Sequence, residues 1–237
     1  MMRIFYRIFI AMILSSVAMS ANGRSLVDHV NPFIGSSNYG TTNPGALCPN
    51  GMMSVTPFNV MGSDLNRYDK DKRWWSTPYC SDNKFFTGFS HVNLSGVGCP
   101  EVGLALTMPT SGQLAVDYHV YGSEYHSEEA APGYYACTLS AYDIKAEVSA
   151  TTRTSVERYT FHEGQGNILV NFSQGLTNET GAWLRKVSDT EFEGMRLAGT
   201  FCYNSQAVFP VYFAFRINKV PADCGFWKFQ PQMKGVE

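Results

Sequence analysis

Apolar and polar residues alternate in short blocks along this chain instead of recurring at helical spacing. Ile144, Ala146, Val148 and Ala150 interleave with Asp143, Lys145, Glu147 and Ser149. That period of two predicts a strand buried on one face. Residues 102–108, 156–161 and 168–172 predict further strands, the last two divided by Glu163-Gly164-Gln165-Gly166-Asn167. Residues 207–217 form a nearly continuous apolar run rich in aromatics, which predicts a strand buried on both faces between two layers. Beyond the N-terminal segment no stretch of twelve or more residues carries a 3.6-residue period. Strands recurring with turn signals between them predict an all-β fold, a large antiparallel β sandwich.

Residues 26–99 read differently. Asn31-Pro32, Gly35-Ser36-Ser37-Asn38, Asn43-Pro44-Gly45 and Cys48-Pro49-Asn50-Gly51 are turn signals, since Gly and Asn tolerate positive φ and Pro fixes φ. Only short apolar pieces, such as residues 52–57, separate them. This part predicts short strands joined by long ordered loops, where binding residues concentrate.

The N-terminus has the three-part pattern of a secretory signal peptide. Arg3 and Arg7 precede an uncharged apolar run at residues 8–17, and small residues follow at Ser16-Val17-Ala18 and Ala18-Met19-Ser20. The run is shorter than the ~20 residues that a membrane span needs. A signal peptide over residues 1–21 and a domain over 22–237 are the expected organisation. The expected localisation is secreted, and periplasmic in a Gram-negative cell.

Composition narrows the function classes. The net charge is −2 with no basic cluster, which argues against nucleic-acid binding. Aromatics make up 14%; most belong to a β core, while flat rings also suit pyranose faces. Cys48, Cys80, Cys99, Cys137, Cys202 and Cys224 lie at wide, irregular spacings without a C-x-x-C pair, so a zinc site is not expected. Their pairing stays open among fifteen connectivities, free thiols included. Glu128-Glu129 and the Glu191/Glu193 pair sit in polar surroundings and are expected at a solvated surface. Asn93-Leu94-Ser95, Asn171-Phe172-Ser173 and Asn178-Glu179-Thr180 fit the N-glycosylation pattern.

The densest chemistry lies in Gly88-Phe89-Ser90-His91-Val92-Asn93-Leu94-Ser95-Gly96-Val97-Gly98. Its hydroxyl, amide and imidazole groups stand between glycines that let a backbone approach a ligand closely. It follows Val30-Asn31-Pro32-Phe33-Ile34-Gly35, Asn43-Pro44-Gly45-Ala46 and Pro49-Asn50-Gly51-Met52, and precedes Met108-Pro109. Thr177-Asn178-Glu179-Thr180 and Gly199-Thr200-Phe201 extend the series. In this order the motifs closely resemble the N-terminal domain of glycoside hydrolase family 92. Two places depart from common members: Asn93 stands where many carry a second His, and Ser36-Ser37-Asn38-Tyr39 replaces a Gly-His-rich loop.

The resemblance implies a supersandwich-like N-terminal domain of a calcium-dependent, inverting exo-α-mannosidase acting on mannose-containing glycans. Inversion uses an acid and a base about 6.5–9.5 Å apart. The resemblance places both, with the Ca2+ environment, in a C-terminal (α/α)6 domain missing here. No catalytic residue and no metal ligand is therefore assigned to this chain, which is expected to be C-terminally incomplete and inactive alone. For the sugar pocket the resemblance points to Phe33, Gly35 and Ser36 in the first loop and to a Trp74-Trp75 pair that stacks on a ring. It also points to His91, Asn93 and Ser95, which bond hydroxyls or support the domain interface. Competing readings place the Trp pair in a core and His91 in a structural turn. A stand-alone mannose-binding module and a non-functional gene fragment are the alternative functions.

Overall fold

The computed structural model describes residues 25–70, 75–162, 164–177 and 181–227. The expected signal segment, Trp74, Asn178-Glu179-Thr180 and residues 230–237 lie outside them. Residues 1–30 and 31–237 form two units. In the first, Leu26–His29 is one turn of 3-10 helix. Its entry is closed by the Ser25 amide donating to Asp28 Oδ2 at 2.9 Å.

The second unit is built from thirteen described strands in three antiparallel sheets. The first sheet has the order β1-β2-β4-β5-β10: Ala46–Leu47, Ser54–Phe58, Gly88–Asn93, Val102–Ser111 and Gly166–Asn171. The second runs β3-β6-β7-β8-β9: Phe85–Phe86, Ser123–Ala131, Tyr134–Leu139, Ile144–Ala150 and Ser155–Phe161. The third is β11-β12-β13: Ala182–Lys186, Glu191–Gly199 and Val208–Arg216. Its one described α-helix, α1, is the single turn Tyr118–Tyr121, capped by the Asp117 carboxylate. No helix among the described residues is long and apolar enough to cross a membrane.

The first two sheets face each other across the main core. Val55, Phe89, Met108 and Leu169 from one meet Phe86, Tyr125, Tyr135, Leu139, Ala146 and Val148 from the other. The alternation read in β8 holds, with Ile144, Ala146 and Val148 buried and Lys145 and Ser149 exposed. The opposite face of the first sheet is covered as well. At one end Leu104 and Val102 meet Ala198, Val211 and Phe213 of the third sheet. Elsewhere Phe58 and Leu106 meet Val60, Tyr68, Trp75 and Leu176 from loops. All of β2 and most of β5 are buried, as strands covered on both faces must be, and the buried hydroxyls of Ser54 and Thr56 are paired with the Asn93 carbonyl and Asn43 Oδ1.

The expectation for residues 207–217 is corrected here. Among the described residues β13 pairs only with β12, along nine residues. Phe213 and Phe215 turn inward, onto Phe172 and Phe192. Tyr212 is 69% exposed. The run is an edge strand of a three-stranded sheet, and the doubly covered strands are β2 and β5.

Arg196 on β12 is the largest fully buried side chain. It donates to the carbonyls of Phe172, Gln174 and Thr177 at 2.5, 2.8 and 2.6 Å. The Lys70 ammonium grips the same turn through the Gly175 carbonyl at 3.0 Å and the Leu176 carbonyl. Replacing Arg196 with Ala leaves three acceptors without this donor, at about 1 kcal/mol or more each. Arg196→Ala is therefore expected to lower stability by roughly 3 kcal/mol, read as a shifted midpoint in urea unfolding. An unchanged midpoint would show that the turn does not depend on this side chain.

Candidate functional site

Three irregular segments meet around one small cavity beside the first sheet. One runs from Phe33 to Pro44, another from Val60 to Lys84, and the third is the glycine-rich loop 94–99 that leaves β4. Without strand partners their backbone groups need other acceptors and donors. In the second segment three buried asparagines supply many of these. The Asn59 amide donates to the Cys80 carbonyl at 2.8 Å and to the Tyr125 hydroxyl at 2.6 Å, while its Oδ1 accepts from the Cys80 amide at 2.8 Å. Asn83 donates to the carbonyls of Asn59 and Tyr68 and accepts from the Tyr68 amide. Asn66 donates to the Asn59 carbonyl and accepts from the amides of Lys84 and Phe85.

The first segment is tied to this frame. Ser36 is buried, and its carbonyl accepts from the Ser81 amide at 2.9 Å. The Asn38 amide donates to Asp82 Oδ2 at 2.9 Å, and the Tyr68 hydroxyl donates to Asn38 Oδ1. Gly35 has φ +77°, and the Gly35 carbonyl lies where a Cβ on Gly40 would stand, so both positions require glycine. The third segment is joined to the first: the Gly96 amide donates to the Thr41 carbonyl at 2.8 Å, and the Asn43 amide to the Leu94 carbonyl at 3.3 Å. A disulfide from Cys99 to Cys202 anchors its far end to the connection between β12 and β13. Cys48, Cys80, Cys137 and Cys224 are free thiols. Burial pushes the Cys80 and Cys137 thiols up, so both stay protonated and unreactive.

Tyr39, Gly40, Thr41, Trp75, Ser76 and Gly98 line a cavity of about 110 Å³ where the segments meet. Trp75 is stacked on Tyr68 at 5.0 Å, and Tyr39 lies 5.8 Å from it on the outer side. Trp75 is 3% exposed and Tyr39 68%. The indole Nε1 is buried without a hydrogen-bond partner among the described residues. An aromatic wall, an unsatisfied donor and glycine backbone are the elements of a small polar ligand site.

Of the residues singled out in the sequence, Trp75 lines this cavity. Gly35 and Ser36 shape the loop that carries Tyr39. Phe33 packs on the main core. Ser95 is exposed. Asn93 is spent within the sheet, where its amide donates to the Ser90 and Ser54 carbonyls. His91 is buried and points to Glu157 on the second sheet. Asn171 is buried too, its amide given to the Tyr121 hydroxyl at 2.9 Å.

Glu128 corrects the expectation of a solvated carboxylate. Its Oε2 accepts from the hydroxyls of Tyr79 and Tyr135 at 2.7 and 2.9 Å, and Lys84 lies 3.3 Å from Oε1. Desolvation, with the nearby carboxylate charge, holds both phenols well above their usual range. Glu191 and Glu193 are surface residues, paired with Arg216 and Arg185. Sequence reasoning missed Tyr39, Thr41 and Tyr68. Tyr39 had a signal: it is an aromatic inside a glycine-bounded loop.

Residues 29–237 match the family described as the Glycosyl hydrolase family 92 N-terminal domain. The GH92 alpha-mannosidase BT3965 from Bacteroides thetaiotaomicron is 28% identical, with a TM-score of 0.69. The match covers 80% of this chain and 25% of that one. A structure of the same enzyme in complex with mannoimidazole matches equally. The GH92 family glycosyl hydrolase ccman5 is 25% identical, with a TM-score of 0.65, over 80% of this chain and 26% of its own. No curated protein matches the sequence. The chain thus spans about a quarter of the length of these solved enzymes. Matched by the family from residue 29 to residue 237, it belongs to glycoside hydrolase family 92 as an N-terminal domain of the all-β sandwich class.

Proposed function

We propose that this chain forms the N-terminal wall of the sugar pocket of a secreted exo-acting α-mannosidase that cleaves mannose-containing glycans with inversion. The observation that carries this reading is the cavity between Tyr39 and Trp75. It joins the first loop and the glycine-rich loop, whose motifs mark the family, to the segment that carries Trp75, and it holds a buried donor that has no acceptor among the described residues. A sugar hydroxyl supplies that acceptor, and the Tyr39 ring offers an apolar face to the pyranose. Kinship with an alpha-mannosidase that has also been solved in complex with mannoimidazole supports the substrate class. The leader pattern of residues 1–21 supports export.

The cavity binds and orients; it does not supply the chemistry. Its lining contains no carboxylate among the described residues, whereas inversion needs two that flank the scissile bond. In this reading the acid and base come from the rest of the enzyme. Calcium is proposed for the whole enzyme on kinship alone. Among the described residues no three His, Cys, Asp or Glu side chains gather as a metal site. The residues present do not fit the ion, and no step is assigned to it.

Two outcomes are expected. In the enzyme that carries this chain, Trp75→Phe removes the indole N–H while keeping a ring, and Tyr39→Ala removes the platform. Each should raise KM for an α-mannoside about tenfold, equivalent to about 1.4 kcal/mol. Unchanged kinetics in both would remove the cavity from the sugar site. An immunoblot of source cells should show a band well above 26.3 kDa. A band at that mass would sink the mannosidase reading and leave mannose titration of the chain as the test of a binding module.

A further inference from the structure

We propose that His91 and Glu157 form a proton-held clasp between the two large sheets, closed while the imidazole carries both ring protons and released when it loses one. This inference is independent of the sugar reading.

His91 lies on β4 in the first sheet and Glu157 on β9, the edge strand of the second. Their side chains are only 8% and 14% exposed. The His91 Nδ1 is 2.7 Å from the Ala105 carbonyl, and a carbonyl only accepts, so Nδ1 is protonated. Nε2 is 2.5 Å from Glu157 Oε1. The other carboxylate oxygen accepts from the Thr107 hydroxyl at 2.6 Å and from the Tyr159 hydroxyl. Two donors on Oε2 favour the ionised carboxylate, which places the shared proton on Nε2. His91 is then an imidazolium with two acceptors, and Glu157 is a carboxylate with three donors. Each charge is held inside the sandwich by the other.

The clasp sits at a break in the first sheet. Between Phe89 and His91 the β4–β5 register shifts, and β5 carries an extra residue there. Ala105, whose carbonyl His91 holds, has φ +48°, and Val92, next to His91, has φ +55°. A side chain that bonds the shifted carbonyl and reaches across to β9 fixes both the bulge and the spacing of the sheets. β4 ends two residues later, at Asn93, where the glycine-rich loop begins.

Burial alone would lower the His91 pKa, but the Glu157 charge, its hydrogen bond and the Ala105 carbonyl raise it above the ordinary 6.5. Burial alone would raise Glu157, but His91, Thr107 and Tyr159 bring it below the ordinary 4.5. Among the described residues the other titratable group that acts on the pair is Tyr159 on β9, with Cys137 on β7 beside it. Burial keeps both in their neutral forms. The His91 contribution to stability is full below pH 6.5 and disappears as pH rises through its raised folded value. The Glu157 contribution is full above pH 4.5 and disappears as pH falls through its lowered value.

The test uses the full-length protein with 15N-labelled histidine. One imidazole should keep both ring nitrogens protonated at a pH above 6.5 where a free histidine has lost its second proton, and His91→Gln should remove that signal. A neutral ring at His91, or full titration of every ring at the ordinary value, would overturn the proposal. In parallel, thermal unfolding is followed from pH 5 to 9. Wild type should lose several degrees of Tm toward the alkaline end. His91→Gln and Glu157→Gln should each start lower and show no such loss. An alkaline limb that survives in either variant would also overturn it. The wild-type spectrum decides the question even where a variant fails to fold.

Discussion

Unpaired backbone is the constraint on which this domain depends. The segment between β2 and β3 lies against a face of the first sheet with little regular hydrogen bonding, yet most of its described residues are buried. Water cannot satisfy its amides and carbonyls there. Asn59, Asn66 and Asn83 take the place of a strand, since each offers two donors and an acceptor on a short arm. Their mutual bonds make the segment a rigid shelf, on which Tyr68 and Trp75 stack. Without the shelf the cavity would have no inner wall.

A second level of organisation follows from the position of the first sheet. It is covered on one face by the second sheet and on the other by the third sheet and the loop shelf. Polar groups that enter such a doubly covered layer must be paired inside it. Ser90 does so with Asn93, whose Oδ1 accepts its hydroxyl at 2.8 Å. Arg196 does so with three carbonyls, and His91 with Glu157. The glycine-rich motif therefore has two halves with different duties. Its strand half is locked into the layer, and its loop half, with Gly98, reaches the cavity.

Much of the strand content was legible from period-two alternation, because β8 keeps one face in the core and one in water. The apolar run of residues 207–217 misled for a physical reason. Continuous hydrophobicity marks a strand with two apolar faces, but it does not say that both faces are covered within the same domain. The loop asparagines carried no legible role, since Asn reads equally as a turn residue and as a buried surrogate for backbone. Glu157 was hidden by its neighbours: Val156 and Arg158 point outward, so the carboxylate occupies the face a pattern reader assigns to Val156. Trp75 was found by type, whereas its burial beneath Tyr39 depends on contacts between distant segments.

The Cys99–Cys202 bridge closes a covalent ring over a sequence separation of 103 residues. All of β5 to β12 lies within that ring, including most of the second sheet. A ring of this size removes about 4.7 kcal/mol of chain entropy from the unfolded state in the loop-closure account. During synthesis the bridge cannot form until most of the domain has left the ribosome. The glycine-rich loop, although made early, is consequently left without its covalent anchor until β12 has been made. A break in any strand between the two cysteines would leave the resulting pieces joined.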